Sequence, residues 1–230
     1  MGERPPPGSD PGEPNPLGFT PAKGGRTGEA QAQSVSRQSE YRPVTLRIFT
    51  IGHGARPIDR FIELVRAVGI DRIADVRTAP GSRKHPQFGL DALEASLGEC
   101  EIAYEWWGEQ LGGFRRARPD SRHVALRTAG FRGYADHMET GEFSRARDEL
   151  IETSRRLPTA VMCAESVWWR CHRRMLADAL VISGCEVIHI MDGPSLDVHR
   201  LMAAARIEDG VPVYDVLQDD DGQRRLLAES

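Results

Sequence analysis

The residues best suited to do chemistry crowd into one stretch, Met162-Cys163-Ala164-Glu165-Ser166-Val167-Trp168-Trp169-Arg170-Cys171-His172-Arg173. It follows an apolar run that begins at Thr159 and leads into a segment with helical character. Cys171-His172-Arg173 at a helix start would sit among free backbone N–H groups and the positive end of the dipole, which attract anions and lower a thiol pKa. That suits a nucleophilic thiol or a phosphate cradle; the plainer reading of Cys171 is a small buried hydrophobe. Glu165 comes directly after a buried run, where an unpaired carboxylate is costly, so it needs a cationic or hydrogen-bonding partner, with Arg77 and Arg173 as candidates. Such a carboxylate can serve as a general base or as support for an arginine that binds an anion. Six residues separate Cys163 from Arg170, one too many for the Cys-x5-Arg loop of cysteine phosphatases, and no phosphatase is assigned. His53, Cys163, Cys171 and His172 share no recognised ligand spacing. On one helix, neighbouring Cys171 and His172 would point about 100° apart. No metal is therefore expected, and no cofactor can be named.

Other polar residues also follow apolar runs. His53 lies between Gly52 and Gly54 after Thr45-Leu46-Arg47-Ile48-Phe49-Thr50-Ile51, and Asp75, Arg77, Ser82 and Arg83 follow the run from Ile70 to Val76. In an open parallel sheet, ligands bind beyond the carboxyl ends of the strands, so three runs ending in ionisable residues mark one shared edge. The catalytic candidates are His53, Asp75, Glu165, Cys171 and His172. The candidates for holding an anion are Arg77, Ser82, Arg83 and Arg173. Plainer roles stand beside these: His53 as a turn residue, Asp75 as a helix cap or partner of Arg77, and Asp75, Arg77, Glu165 and Arg173 together as a buried ion-pair network.

The elements that must position these residues alternate between strand and helix. After the first run, Pro57 suits a helix start, and Ile58, Phe61, Ile62, Val65 and Val68 recur at helical spacing up to Gly69. Ile70 to Val76 is a second strand, and the β-α-β unit predicts a parallel pair. Leu90 to Leu97 reads as a short helix and Ile102 to Trp107 as a strand. Residues 114–132 carry Arg115, Arg116, Arg118, Arg122, Arg127 and Arg132 with few core positions, which predicts a long, basic, mobile insertion. A helix is expected from Gly133 to Leu157, ended by Pro158. Thr159 to Cys163 is a strand, Trp169 to Ser183 a helix closed by Gly184, and Glu186 to Met191 a last parallel strand. The prediction is an α/β fold, a single layered domain over 44–217 with a mostly parallel β-sheet flanked by helices. Of the tryptophans, Trp106-Trp107 and Trp168-Trp169, one of each pair is expected to face the core.

Residues 1–43 hold 8 Pro and 7 Gly with few large apolar residues, the composition of a disordered tail. Residues 218–230 form an acidic C-terminal tail. Net charge is -4, but it is uneven: 22 basic against 18 acidic residues in 42–174, and 4 against 11 in 175–230. Acidic residues are interleaved through the basic middle, so a nucleic-acid partner has weak support. The apolar runs fall short of the roughly 20 residues that span a bilayer. With no apolar leader at Met1 and only four cysteines, none in Cys-x-x-Cys spacing, a cytoplasmic protein with reduced thiols is expected and a membrane partner is not. Oligomeric state leaves no mark in the sequence.

Taken in order, Thr50-Ile51-Gly52-His53, Asp75-Val76-Arg77 with Pro80 and Ser82, Tyr104 with Leu111-Gly112-Gly113, Phe131 to Met138, Met162-Cys163-Ala164-Glu165 and Cys171-His172-Arg173 resemble the pattern of the bacterial family called domain of unknown function 488. His189, Arg206, Gly210 and Tyr214 continue it, for about 170 residues in all. The resemblance implies that His53, Asp75, Arg77, Glu165, Cys171, His172 and Arg173 occupy motif positions, and that Gly54 stands where many relatives have serine. The leading functional expectation is an enzyme, or a former enzyme, acting on a phosphate-bearing small molecule such as a nucleotide. The alternatives are a nucleic-acid-binding or regulatory module using the arginines of 114–132, and a non-catalytic structural domain.

Overall fold

A computed structural model describes residues 45–81, 84–193 and 196–216. The tail expected over 1–43, the acidic tail over 218–230, and Ser82 and Arg83 lie outside the described residues. The chain alternates as read from its apolar periodicity. Strand β1 (Arg47–Gly52), helix α1 (Ile58–Ala67) and strand β2 (Arg72–Asp75) come first, then helix α2 (Leu90–Gly98), strand β3 (Ala103–Trp106) and the single turn α3 (Gly108–Leu111). Helices α4 (Ala129–Met138) and α5 (Gly141–Ser154) lead to strand β4 (Thr159–Cys163), helix α6 (Arg173–Ile182) and strand β5 (Glu186–Ile190). Short strands β6 (Leu196–Val198), β7 (Ala205–Glu208) and β8 (Val211–Tyr214) complete it.

Six strands form one sheet in the order β3-β2-β4-β1-β5-β6, with β7 and β8 as a separate hairpin. All neighbours in the sheet are parallel except β5 and β6, which pair antiparallel. Burial follows the strand period of two. Along β4, Ala160 and Met162 pack with Phe61, Val65, Leu93 and Leu97 of α1 and α2, while Val161 and Cys163 pack on the opposite face with Leu150, Met175 and Leu176. Helices thus cover both faces, and every residue of β4 is buried. Helix α1, which follows β1, lies on one face and α6, which follows β4, on the other. Their separation opens a crevice between adjacent β1 and β4, the topological switch point where open α/β sheets bind ligands. Among the described residues, no helix is long and apolar enough to cross a membrane.

Four sequence expectations are corrected. β1 and β2 are not neighbours; β4 lies between them, hydrogen-bonded to both, because strand order depends on where a distant run inserts. The helix expected over 133–157 is two helices. Thr140 ends the first by donating to His137 O (2.7 Å) and caps the second by accepting from Phe143 N (3.2 Å). The helix expected from Trp169 is a short 3-10 turn, Trp168–Arg170, then extended Cys171 (φ -126°, ψ 154°), then α6. The basic stretch 114–132 is tied down: Ala125 N donates to Tyr214 O (3.0 Å), Leu126 and His123 are buried, and α4 begins inside it at Ala129.

Candidate functional site

The carboxyl ends of β1 and β4 are in contact. His53 N donates to Cys163 O and Gly54 N to Ala164 O, both at 2.9 Å. A Cβ on Gly52 would lie 1.8 Å from Glu165 O, and one on Gly54 (φ +56°) 2.1 Å from Ser166 Oγ. The glycines flanking His53 thus admit the backbone and side chain of 165–166.

His53 is buried, with its ring stacked 4.3 Å from that of Phe88. Its Nδ1 lies 2.8 Å from Gly54 O. A carbonyl can only accept, so Nδ1 carries the proton and Nε2 presents a lone pair, 3.3 Å from Arg77 Nη1. Burial pushes the pKa of His53 down to about 4; the ring is neutral and accepts from Arg77.

Asp75 holds that arginine from behind. It is fully buried and receives Arg77 Nε (2.9 and 3.0 Å), Nη2 (2.5 Å), the Arg77 backbone N (3.0 Å) and Tyr104 OH (2.7 Å). Burial, reinforced by the Asp75 charge, pushes the Tyr104 hydroxyl up and keeps it a donor. Arg77 Nη1 also donates to Phe88 O (2.7 Å). Of the five guanidinium N–H groups, four therefore have partners among the described residues, and one on Nη2 is left over.

Arg173, only 1% exposed, faces the other way. Its Nη2 donates to Glu165 O and its Nη1 lies 3.4 Å from Thr50 Oγ1, so it fastens the 165–166 loop from inside the protein. The Glu165 side chain is exposed, and its Oε1 accepts from Val167 N (3.2 Å).

Cys163 and Cys171 meet at His172. Nδ1 of that ring is 3.9 Å from Cys163 Sγ and 3.5 Å from Cys171 Sγ, and the ligating atoms of all three residues lie within 4.8 Å of one another. The 100° divergence expected of adjacent helical residues does not arise, since Cys171 is extended and outside α6. The bond from the Cys163 thiol, then the neighbouring His172 and the Arg173 guanidinium, hold Cys171 well below the usual thiol range against the burial that opposes them. Cys163, hydrogen-bonded to Cys171 and buried, is pushed well above it.

A cavity of about 660 Å³ opens at this edge, and His53, Arg77, Glu165, Cys171 and His172 all line it. Asp75 and Arg173 are not in its lining; each sits one layer behind. Not singled out from sequence are Arg170, on the same wall, and Phe114, a rim side chain 84% exposed. The available signals were an arginine inside the Cys/His stretch and an aromatic directly after Gly112-Gly113. The arginines of 114–132 largely engage neighbours: Arg115 bonds Gly112 O and Glu109 O, Arg118 and Arg122 pair with Glu139, and Arg132 bonds Leu126 O.

A family model described as domain of unknown function DUF488 matches residues 57–180. No curated protein and no solved structure matches the chain.

Proposed function

The chain belongs to the DUF488 family, and from that premise we propose that its cavity is an enzyme's binding site for a phosphate-bearing small molecule, a nucleotide being the class that fits best. The observation that carries the reading is the convergence of His53, Arg77, Glu165 and His172, from three separate strand ends, on one cavity of about 660 Å³, within the size range of small-molecule sites. Arg77 offers the anion a guanidinium N–H that is already oriented, because Asp75, His53 and Phe88 O fix the rest of the group. Arg170 adds a second guanidinium on the same lining. Phe114 supplies an exposed aromatic face at the rim, suited to stacking a base.

In this reading Asp75 and His53 position Arg77, and Arg173 positions the loop that carries Glu165. Glu165 is the rim carboxylate able to take a proton, and Cys171 with His172 forms the reactive wall. Two thiols this close persist best in a reducing compartment, which favours the cytoplasm.

The test is a titration of the native chain and of Arg77→Met and Phe114→Ala with a nucleotide panel, alongside melting temperatures. Arg77→Met is expected to weaken the preferred nucleotide by about 10- to 100-fold, the worth of a charge-assisted bond. Unchanged affinity in a variant that melts like the native chain overturns the proposal.

A further inference from the structure

We propose that Cys163, Cys171 and His172 form a site for a zinc ion, with three protein ligands and a fourth position open to the cavity. The geometry leads. Zinc bonds thiolate sulfur at about 2.3 Å and imidazole nitrogen at about 2.0 Å, so a tetrahedral site has sulfur-to-nitrogen edges of about 3.5 Å and sulfur-to-sulfur edges of about 3.8 Å. His172 Nδ1 lies 3.5 Å from Cys171 Sγ and 3.9 Å from Cys163 Sγ, and no two of the three donor atoms are more than 4.8 Å apart. Only small side-chain rotations separate these positions from coordination.

The fold brings the donors together from independent places. Cys163 ends β4, Cys171 is held extended after a 3-10 turn, and His172 is the residue before α6. Glycine at 113 keeps one side of the imidazole clear, since a Cβ there would lie 2.5 Å from Nδ1. Nε2 of the same ring is buried without a partner among the described residues, so the imidazole is not committed elsewhere.

The donor set selects the ion. Two sulfurs and an imidazole suit zinc and other soft divalent metals, and reject magnesium and calcium, which require oxygen. The openness of the site argues for a working metal rather than a structural one, because structural zinc is closed by four protein ligands. All three donors border the large cavity, and Cys163 and His172 also line a recess of about 120 Å³ beside Arg77. A water or substrate oxygen in the fourth position would face Arg77. Among the described residues, the other compact group of candidate donors, His123, Asp136 and Glu139, lacks this freedom, because Arg118 and Arg122 already occupy its carboxylates.

The inference specifies how the reactive wall of the proposed site works, but its test needs no substrate. The full chain is purified without chelator or nickel resin and assayed for metal by plasma mass spectrometry, then stripped and titrated with cobalt(II). The expected result is close to one zinc per chain, as a single three-ligand site requires. Cobalt should give the d–d bands of a tetrahedral ion and a thiolate-to-cobalt charge-transfer band, which Cys171→Ser removes and His123→Asn leaves intact. Should Cys171→Ser fail to fold, the native chain still decides: zinc removal should lower its melting temperature and zinc should restore it. Metal-free protein that gives no tetrahedral cobalt spectrum overturns the proposal, and so does protein isolated with Cys163 and Cys171 joined as a disulfide. Arg77→Met separates the two readings, since it should weaken nucleotide binding by about 10- to 100-fold and leave the cobalt spectrum unchanged.

Discussion

Two buried polar networks of almost the same composition flank the crevice, and they end in different places. One joins Asp75, Tyr104, His53 and Arg77, and its arginine borders the cavity. The other joins Asp178, Tyr214, His199, His189, Thr50 and Arg173, and none of these side chains is in the cavity lining. The second network has a fixed direction. Asp178 accepts from His199 Nε2 (2.8 Å); with a neutral imidazole at 199, His199 Nδ1 accepts from His189 Nε2 (3.0 Å), and His189 Nδ1 from Thr50 Oγ1 (2.7 Å). Each network holds a carboxylate, a tyrosine, at least one histidine and an arginine, so residue types alone cannot separate a site from a scaffold. An adjoining cavity can.

The largest expected effect tests the scaffold side. Asp178 also accepts from Met202 N (3.1 Å) and Tyr214 OH (2.9 Å), so Asp178→Ala strands three buried donors. Removing one member of such a network costs about 3–5 kcal/mol, which should lower the melting temperature by on the order of 10 °C. Nucleotide affinity per folded molecule should not change. Asp75→Asn is the matched substitution on the cavity side. It should cost about 2–4 kcal/mol in urea unfolding and also weaken nucleotide binding, because Arg77 loses its brace. Equal effects of the two variants on binding would erase the distinction between the networks.

The cavity-side residues were legible in the sequence because a parallel sheet gathers its strand ends, and His53, Arg77 and Glu165 each follow an apolar run by one to three positions. Their division of labour was not legible. That Arg77 faces the cavity and Arg173 the interior depends on which side of the 165–166 loop each guanidinium reaches. The Cys163-Cys171-His172 cluster was hidden by one residue: a helix starting at Trp169 would splay Cys171 from His172, and the extended backbone at Cys171 undoes that. Strand order was hidden because nothing in β1 or β2 records that β4 inserts between them. The strands β6 to β8 are three or four residues long, β6 and β7 largely exposed and β8 largely buried, too short for alternation to register.

A smaller effect compares the networks by pH. Burial holds His53 at about 4 and His189 at about 2, both below the roughly 6.5 of an unfolded histidine. The unfolded chain therefore takes up protons below about pH 6.5 while the folded chain does not, so stability falls as pH falls. The His53 contribution to the slope ends near pH 4, whereas that of His189 continues lower. Urea unfolding across this window should show up to about 1.4 kcal/mol per pH unit for each histidine. His53→Asn should remove part of the slope above pH 4 only. A slope unaltered by that change would mean His53 is already charged in the folded protein, which is incompatible with its accepting from Arg77.

The smallest expected effect lies away from both networks, at Arg122. Its guanidinium pairs with Glu139 and Glu208 and its side chain is 43% exposed. Bonds from Arg122 and Arg118 hold the Glu139 carboxyl low against the burial that opposes them, and Arg118 remains bonded to Glu139 when Arg122 is gone. A half-exposed pair with such a stand-in contributes under about 1 kcal/mol. Arg122→Ala should therefore shift the melting temperature by no more than a few degrees and leave nucleotide affinity as it was. The variant also addresses the nucleic-acid alternative. Were the stretch 114–132 a phosphate-contacting surface, each lost arginine would weaken oligonucleotide binding and flatten its salt dependence by close to one unit of slope. An arginine already paired with two carboxylates has little charge to offer a phosphate, so no such change is expected in a salt titration of Arg122→Ala against the native chain.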